Sequence, residues 1–558
     1  MTIINELNEY RNIRVIYCTS LLSYRMHTNL LRSKPFTNEN VDDVNATWCQ
    51  NQLVMLFFHC IRKQCPLDLY SLRKEATLFL HRASSNYLDL FFRMILHTRN
   101  IYSIGNCSGK GEHDVSYMLL TLVYDFFPNE AKNIVVLFFT TYGSWRDMKH
   151  ICDYLYCLDK VKYDPFITFI VQITNECLKK DYETWKFSIH CYSRNHISSV
   201  YKWIPREHKQ FDWLHERLAR NWSEQNKHYI FSTIKNEEGF RKAVIKSKRI
   251  YRKVYSTLTK EIDRFNQGPH KIQGQGQGQG PDEIQVQSPY ERPAAHSFSL
   301  YQFMKRAFSS DPLSPSETMQ QEWLQYSSTI AADGFHNVIP MIDVSAKMQE
   351  YNGESFYSGV GLALLVAQRS HHRIIAYGDQ AEWIVLSDPP DFMKCIQDIK
   401  QSISTIENMG SSFHSAVHWF YTQYMSANEN LSEFIVRKQL RKTKLVVFSN
   451  VFPNENEAAD SIVFGIDGPK IIYWNLATSF NTFDSPCLYN QVGRVLLSGL
   501  SGSLLSIFSI LKQYEKNSRF CPYSIIGALL LQPCFGGSPF LDNSLVSSFN
   551  SSNMDFAI

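Results

Sequence analysis

His336-Asn-Val-Ile-Pro-Met-Ile-Asp-Val-Ser-Ala-Lys347 sets an apolar run, Val338–Ile342, directly before an acid. A short, nearly continuous apolar stretch closed by polar residues reads as a strand covered on both faces. Asp343 and Ser345 then place two oxygen ligands on the loop at its carboxyl end. Five more β-rich runs follow: 372–378 (HRIIAYG), 382–387 (EWIVLS), 443–450 (TKLVVFSN), 469–476 (PKIIYWNL) and 493–499 (GRVLLSG). Helical patterns lie among them at 359–369, 391–405, 413–425, 432–442 and 503–515. Strands alternating with helices predict a three-layer α/β/α domain with a mostly parallel sheet over 296–558, whose ligands would sit at the carboxyl ends of the strands.

Upstream of this domain the pattern changes. Residues 267–287, QGPHKIQGQGQGQGPDEIQVQ, carry almost no bulky apolar side chain. Such a segment cannot bury enough surface to offset its ordering entropy, so 267–295 is expected to be a mobile linker. Before it, 69–83, 86–98, 115–127, 144–158 and 166–180 each show apolar residues at helical spacing. An α-helical region over 1–266, bundle or solenoid, is the natural reading, giving an α + α/β chain. The boundary also divides charge. Residues 1–266 hold 38 Lys and Arg against 27 Asp and Glu, and the remainder 19 against 26. A basic half attracts polyanions, or else docks on the acidic half.

Composition excludes several classes. With 44% apolar and 14% aromatic residues the 558-residue chain is neither disordered, collagen-like nor a coiled coil. No run of 18 apolar residues occurs; 496–511 is broken by Ser and Gly, so no membrane association is expected. No secretory signal is read at the start. Thirteen scattered cysteines without CxxC spacing point to free thiols and a cytoplasmic location. HExxH, GxSxG and zinc spacings are absent, and Gly105–Gly109 is too short for a Walker loop. The enzyme expectation is therefore negative. Cys60 and Cys65 read as buried residues of an apolar helix, and His371 and His372 as flanking a strand.

The loop after Val338–Ile342 is the first candidate site. A hard divalent cation needs several oxygens from separate loops. Ser411 and Ser412, before a helix, and Ser449-Asn450, ending a strand, fall at equivalent sheet ends. On these residues the C-terminal part resembles a von Willebrand factor A-type domain. The resemblance implies a metal-ion-dependent adhesion site at Asp343, Ser345, Lys347, Ser411 or Ser412, and Asn450. It also implies that the site is degenerate, because Lys347 stands where the family has Ser and Asn450 where it has Asp. No cofactor is expected, Mg2+ being the one candidate. Lys347 either places its ammonium beside Asp343 in the vacated position or points to solvent.

A longer series of motifs runs through the chain: His97-Thr-Arg-Asn100, Gly109-Lys-Gly-Glu112, Tyr142-Gly-Ser-Trp-Arg-Asp147, Lys202-Trp-Ile-Pro-Arg-Glu207, Tyr251-Arg-Lys253 with Leu258, Trp474-Asn-Leu476 and Leu497-Ser-Gly-Leu-Ser-Gly502. In this order they resemble a family of large DNA viruses, fungi and plants that joins a helical N-terminal region to an A-type domain, departing from it at Asn100, Lys347 and Asn450. That architecture is similar to the Ro/TROVE RNA-binding proteins. A viral origin, and so host cytoplasm, is what the family's range implies. Read by itself, Gly109-Lys-Gly111 is either a loop that approaches a phosphate through Lys110 or a plain turn between helices.

The third candidate is the helix Phe240–Leu258. Phe240, Val244, Tyr251, Val254, Tyr255 and Leu258 make an apolar stripe, surrounded by Arg241, Lys242, Lys246, Lys248, Arg249, Arg252 and Lys253. These cations can track a phosphate backbone, with Tyr251 or Tyr255 to stack on bases, or can simply solvate an outer face. The expectation is a non-enzymatic binding or scaffold protein that takes RNA on its basic region. The alternative is a module that binds a protein partner through the top loops of the A-type domain.

Overall fold

The computed structural model describes residues 40–102, 108–191, 197–234, 236–266, 299–310, 317–330, 333–387, 391–406, 412–452, 468–479, 485–514 and 520–535. The expected linker at 267–295 and Ser411 lie outside the described residues. In chain order the helices α1 (Asn40–His59), α2 (Pro66–Arg82), α3 (Ser85–Arg99) and α4 (Asp114–Phe126) come first. Then follow α5 (Pro128–Leu137), α6 (Arg146–Asp159), α7 (Asp164–Cys191), α8 (Val200–Trp203), α9 (Asp212–Gln225) and α10 (Glu237–Asn266). The remaining elements are α11 (Leu300–Ser309), α12 (Glu317–Ser328), β1 (Val338–Asp343), α13 (Glu350–Ala367), β2 (Arg373–Tyr377), β3 (Ala381–Val385), α14 (Phe392–Thr405), α15 (Phe413–Ala427), α16 (Glu433–Leu440), β4 (Lys444–Ser449), β5 (Lys470–Asn475), β6 (Arg494–Ser498), α17 (Ile507–Tyr514) and α18 (Pro522–Leu530).

The strands form one six-stranded sheet in the order β3-β2-β1-β4-β5-β6, parallel except for β3. The chain is thus α-helical with an α/β part, as expected. All residues of β1 and β4 are buried, which is why their sequences lack polar alternation. Pro340 fits inside β1 because β2 pairs only from Met341 onward, leaving Pro340 a single strand neighbour, Val446 of β4. Edge strand β3 pairs antiparallel with β2 and leaves Glu382 and Val385 exposed.

The compact units do not divide at residue 266. Among the described residues, 40–126 and 299–535 make one unit and 127–266 the other. Helix α1 packs on β6 and α18, and its run Leu53–Phe58 is almost wholly buried. The helical patterns of α2–α4 were legible, while 40–59 was not among the helical segments read; which layer these helices would cover was not legible, because an apolar helical face does not specify its partner. In the second unit α9, α10, α8 and α7 pack on one another around Trp222, Tyr251 and Leu218. Helix α7 runs to Cys191, well past the expected 166–180.

Two smaller readings change. Cys60 and Cys65 lie beyond the end of α1, with Cys65 immediately before α2, rather than on one helix. Cys534 is disulfide-bonded, so the chain is not thiol-only. Among the described residues no helix is long and apolar enough to cross a membrane.

Candidate functional site

The strand order reverses between β1 and β4, the switch point where open α/β sheets hold ligands. Asp343 ends β1 there, fully buried. Its Oδ1 accepts from the Ser345 backbone N–H at 2.9 Å and its Oδ2 from Ser449 Oγ at 2.7 Å. The Tyr377 phenol at the end of β2 is held well above its usual range by burial and then by the Asp343 charge. Asn450 Nδ2 donates to the Lys347 carbonyl at 2.7 Å. Ser412 Oγ is committed to α15, accepting from Ser415 N and donating to Ser415 Oγ. Two buried oxygens, Ser345 Oγ and Asn450 Oδ1, lack a hydrogen bond.

This set does not suit a divalent cation. Among the described residues it offers one carboxylate, both of whose oxygens already serve the loop, and two neutral oxygens, whereas Ca2+ takes six to eight oxygens and Mg2+ one or two carboxylates besides its waters. Among the described residues no group of three His, Cys, Asp or Glu could hold a metal. Lys347 is exposed and forms no ion pair with Asp343, so the idea that its ammonium replaces the ion is corrected: the Asp343 charge is met by neutral donors.

At the carboxyl ends of β5 and β6 the distant motifs meet. Lys110 is only 2% exposed, and its Nζ donates to Phe57 O at 2.5 Å, Cys60 O at 3.0 Å and Ser498 Oγ at 2.7 Å. Ser498 Oγ passes its own hydrogen to Phe57 O at 2.9 Å, and Asn475 Nδ2 donates to Phe58 O at 2.9 Å. These acceptors are the carbonyls of the last turn of α1 and the residue after it, which have no partner inside the helix. An ammonium at this negative end of the helix dipole is well placed. Lys110 is therefore not a phosphate contact, which corrects that expectation. The glycines beside it approach protein instead: a Cβ on Gly109 would lie 2.4 Å from His97 O and from Asn100 Cβ, and Gly111 has φ +74°. The backbone N–H groups of Lys110 and Glu112 cap α3 through His97 O and Thr98 O.

Around this cluster Arg62 pairs with Glu112 at 2.9 Å and Glu354 at 2.8 Å, and Gln64 Nε2 donates to Glu354 at 2.7 Å. Lys63 Nζ reaches Ala477 O, and Ser355 Oγ reaches Leu476 O. A small cavity lies alongside, lined in part by Phe57, His97, Ser108 and Trp474. His97 is held neutral, its pKa well below normal through burial and then the Lys110 charge. The Ser498–Lys110 pair does not have the form of a nucleophile and its base. All three hydrogens of the ammonium have acceptors, and the serine proton is directed at a carbonyl.

The basic helix α10 divides its cations into two sets. Arg241 pairs with Glu237, Lys242 with Glu238 and Arg252 with Glu207. Lys248 is turned inward, its side chain 14% exposed, toward Asp212 and Glu216. Lys246, Arg249 and Lys253 are exposed and form no ion pair among the described residues. Their spacing of three and four residues places them on one face, together with Lys242. Exposed Lys260, seven residues beyond Lys253, extends that row and was missed because the reading stopped at Leu258. Tyr251 is not a stacking surface: it is fully buried and its hydroxyl donates to Asn175 Oδ1 at 2.8 Å. Tyr255 is half-buried, packed edge-on to Tyr251 and His215.

Arg62, Glu354, Asn475 and Ser498 were not singled out as interacting residues. Their signal was present only in the motif series, since Asn475 and Ser498 fall inside it. No family model, curated protein or solved structure matches this chain.

Proposed function

We propose that this is a non-enzymatic, polyanion-binding protein that takes RNA on the helical unit 127–266. The single observation that carries the reading is the exposed row Lys246, Arg249 and Lys253, which has no acid to neutralise it among the described residues. Three cations over two turns of one helix face can contact successive phosphates. The α/β unit belongs in this reading to the A-type class, with a degenerate site at Asp343. What supports that is the doubly wound strand order with Asp343 and Ser449 at its switch point. The alternative, a partner bound on the top loops, loses surface because α1 already covers the ends of β5 and β6.

The test is retention of a fluorescent single-stranded RNA at low and moderate salt. The combined variant Lys246→Glu, Arg249→Glu and Lys253→Glu is expected to lower affinity at least about tenfold and to reduce the salt slope by about 2, at roughly 0.7 per single-strand phosphate contact. Equal binding by the variant and the unaltered protein refutes the assignment of this row.

A further inference from the structure

A second group of cations in the helical unit remains without a role. Arg146 opens α6 and Lys149 lies in its first turn, at the positive end of the helix dipole, where basic side chains are disfavoured. Both lie over the half-buried ring of Trp203, Arg146 Cζ at 5.8 Å and Lys149 Nζ at 5.3 Å from its centroid. Arg206 follows three residues after Trp203 in the same loop and is exposed. The amine of Lys149 is held below its normal range by burial, then by the charges of Arg146 and Arg206, which places the three cations within electrostatic reach of one another.

None of the three forms an ion pair among the described residues. The two nearest acids in sequence are engaged elsewhere: Asp147 accepts from the Ser144 backbone N–H at 2.9 Å, and Glu207 pairs with Arg252 at 2.8 Å. Like charges gathered at a helix N-terminus repel one another, and an anion between them relieves that repulsion. Two guanidinium groups and one ammonium suit a phosphate, which accepts the fork of an arginine and a point charge together.

We infer that Arg146, Lys149 and Arg206, set around Trp203, form a phosphate-binding site that seats one phosphodiester group of a nucleic acid. The inference rests on the reading of this unit as a polyanion binder. Helix α8 packs on both α6 and α10, and Arg252, held by Glu207, lies one turn from Arg249. The site therefore continues the exposed row of α10. Of the sequences singled out above, Tyr142–Asp147 supplies Arg146, and Lys202–Glu207 supplies Trp203 and Arg206.

Lysine acetylation of the full chain, read by mass spectrometry, tests this without a substitution. The probes are an RNA oligonucleotide and pyrophosphate, with exposed Lys160 as the internal reference. RNA is expected to protect Lys149 several-fold relative to Lys160. Protection by pyrophosphate but not by bound RNA would overturn nucleic-acid seating and make the site one for a free phosphate compound. Protection by neither overturns the site. The variant Arg146→Gln, Lys149→Gln, Arg206→Gln should in parallel reduce the salt slope of RNA binding by about 2. If RNA binds the unaltered protein and this variant with equal slope, the inference falls and the row on α10 stands. If the unaltered protein retains no RNA at low salt, the functional reading itself falls.

Discussion

At the scale of single residues the most informative side chain is Lys110. Its amine is pushed down to about 8, mainly by burial, with the charges of Cys60 and Glu112 opposing that shift and Lys63 adding to it. A lysine whose folded pKa lies below its unfolded value binds fewer protons in the folded state between those two values. Between pH 8 and 10.5 the unfolded chain therefore holds more protons, and the Lys110 contribution makes stability rise with pH across that window. Below pH 8 the cost of burying the charge is at its greatest. Lys110→Met is expected to lower stability at neutral pH by about 3 kcal/mol, because the Cys60 carbonyl is left without its donor and Phe57 O and Ser498 Oγ each lose one. It should also flatten the rise between pH 8 and 10.5; urea midpoints measured across the window check both. At Asp343 the internal hydrogen bonds lead to a different expectation: millimolar Mg2+ should move the thermal midpoint by no more than about 1 °C, since a ligand that does not bind the native state adds no stability. A larger upward shift, lost in Asp343→Asn, would restore a metal site. Sequence identified both positions and misjudged what each meets. Glycines flanking a lysine look alike whether the backbone nears a phosphate or the end of a helix.

At the scale of elements, α10 shows how far periodicity carries. Its stripe of Val244, Tyr251, Val254 and Leu258 was legible and is buried. The cations were legible too, but not their partition, because Glu207, Asp212 and Glu216 approach from other segments. Tyr251→Phe separates structure from binding on this helix. It removes the hydrogen bond to Asn175 and is expected to cost about 1 kcal/mol in a denaturation experiment while leaving RNA affinity unchanged. A loss of affinity would mean that the buried face of α10 takes part in recognition. The central strands of the sheet were the most readable elements, since burial on both faces leaves near-continuous apolar runs. The kink inside the first turn of α13 was not legible: Tyr351, Asn352 and Gly353 all have positive φ, which no local composition rule required of Tyr351.

At the scale of the molecule, helices α1–α4 belong to the α/β unit; among the described residues the chain leaves that unit after Phe126 and is back in it from Ser299. The sequence reading put one boundary at 266; it could not say that α1–α4 belong to the unit that holds the sheet, because their partners lie hundreds of residues away. Residues 296–538 expressed alone are expected to be insoluble or unfolded, since they lack α1 over β6 and the acceptors of Asn475 and Ser498. Co-expression with 32–126 should restore a soluble complex, measured by gel filtration and circular dichroism. A stable, monomeric 296–538 fragment would show that the helices are an accessory layer.

The hydrogen bond from Lys110 to Ser498 joins residues 388 apart. At a synthesis rate of about 5–20 residues per second, the lysine waits tens of seconds for its acceptor to be made. Throughout that interval the apolar run Leu53–Phe58 lacks β6, the strand its helix packs on, and the whole of 127–266 is translated and free to fold first. Folding order is thus the reverse of chain order for the first described segment: its helices, made before 127–266, are fixed after it. That delay is a window in which a chaperone, or a second nascent chain, can occupy the same apolar face.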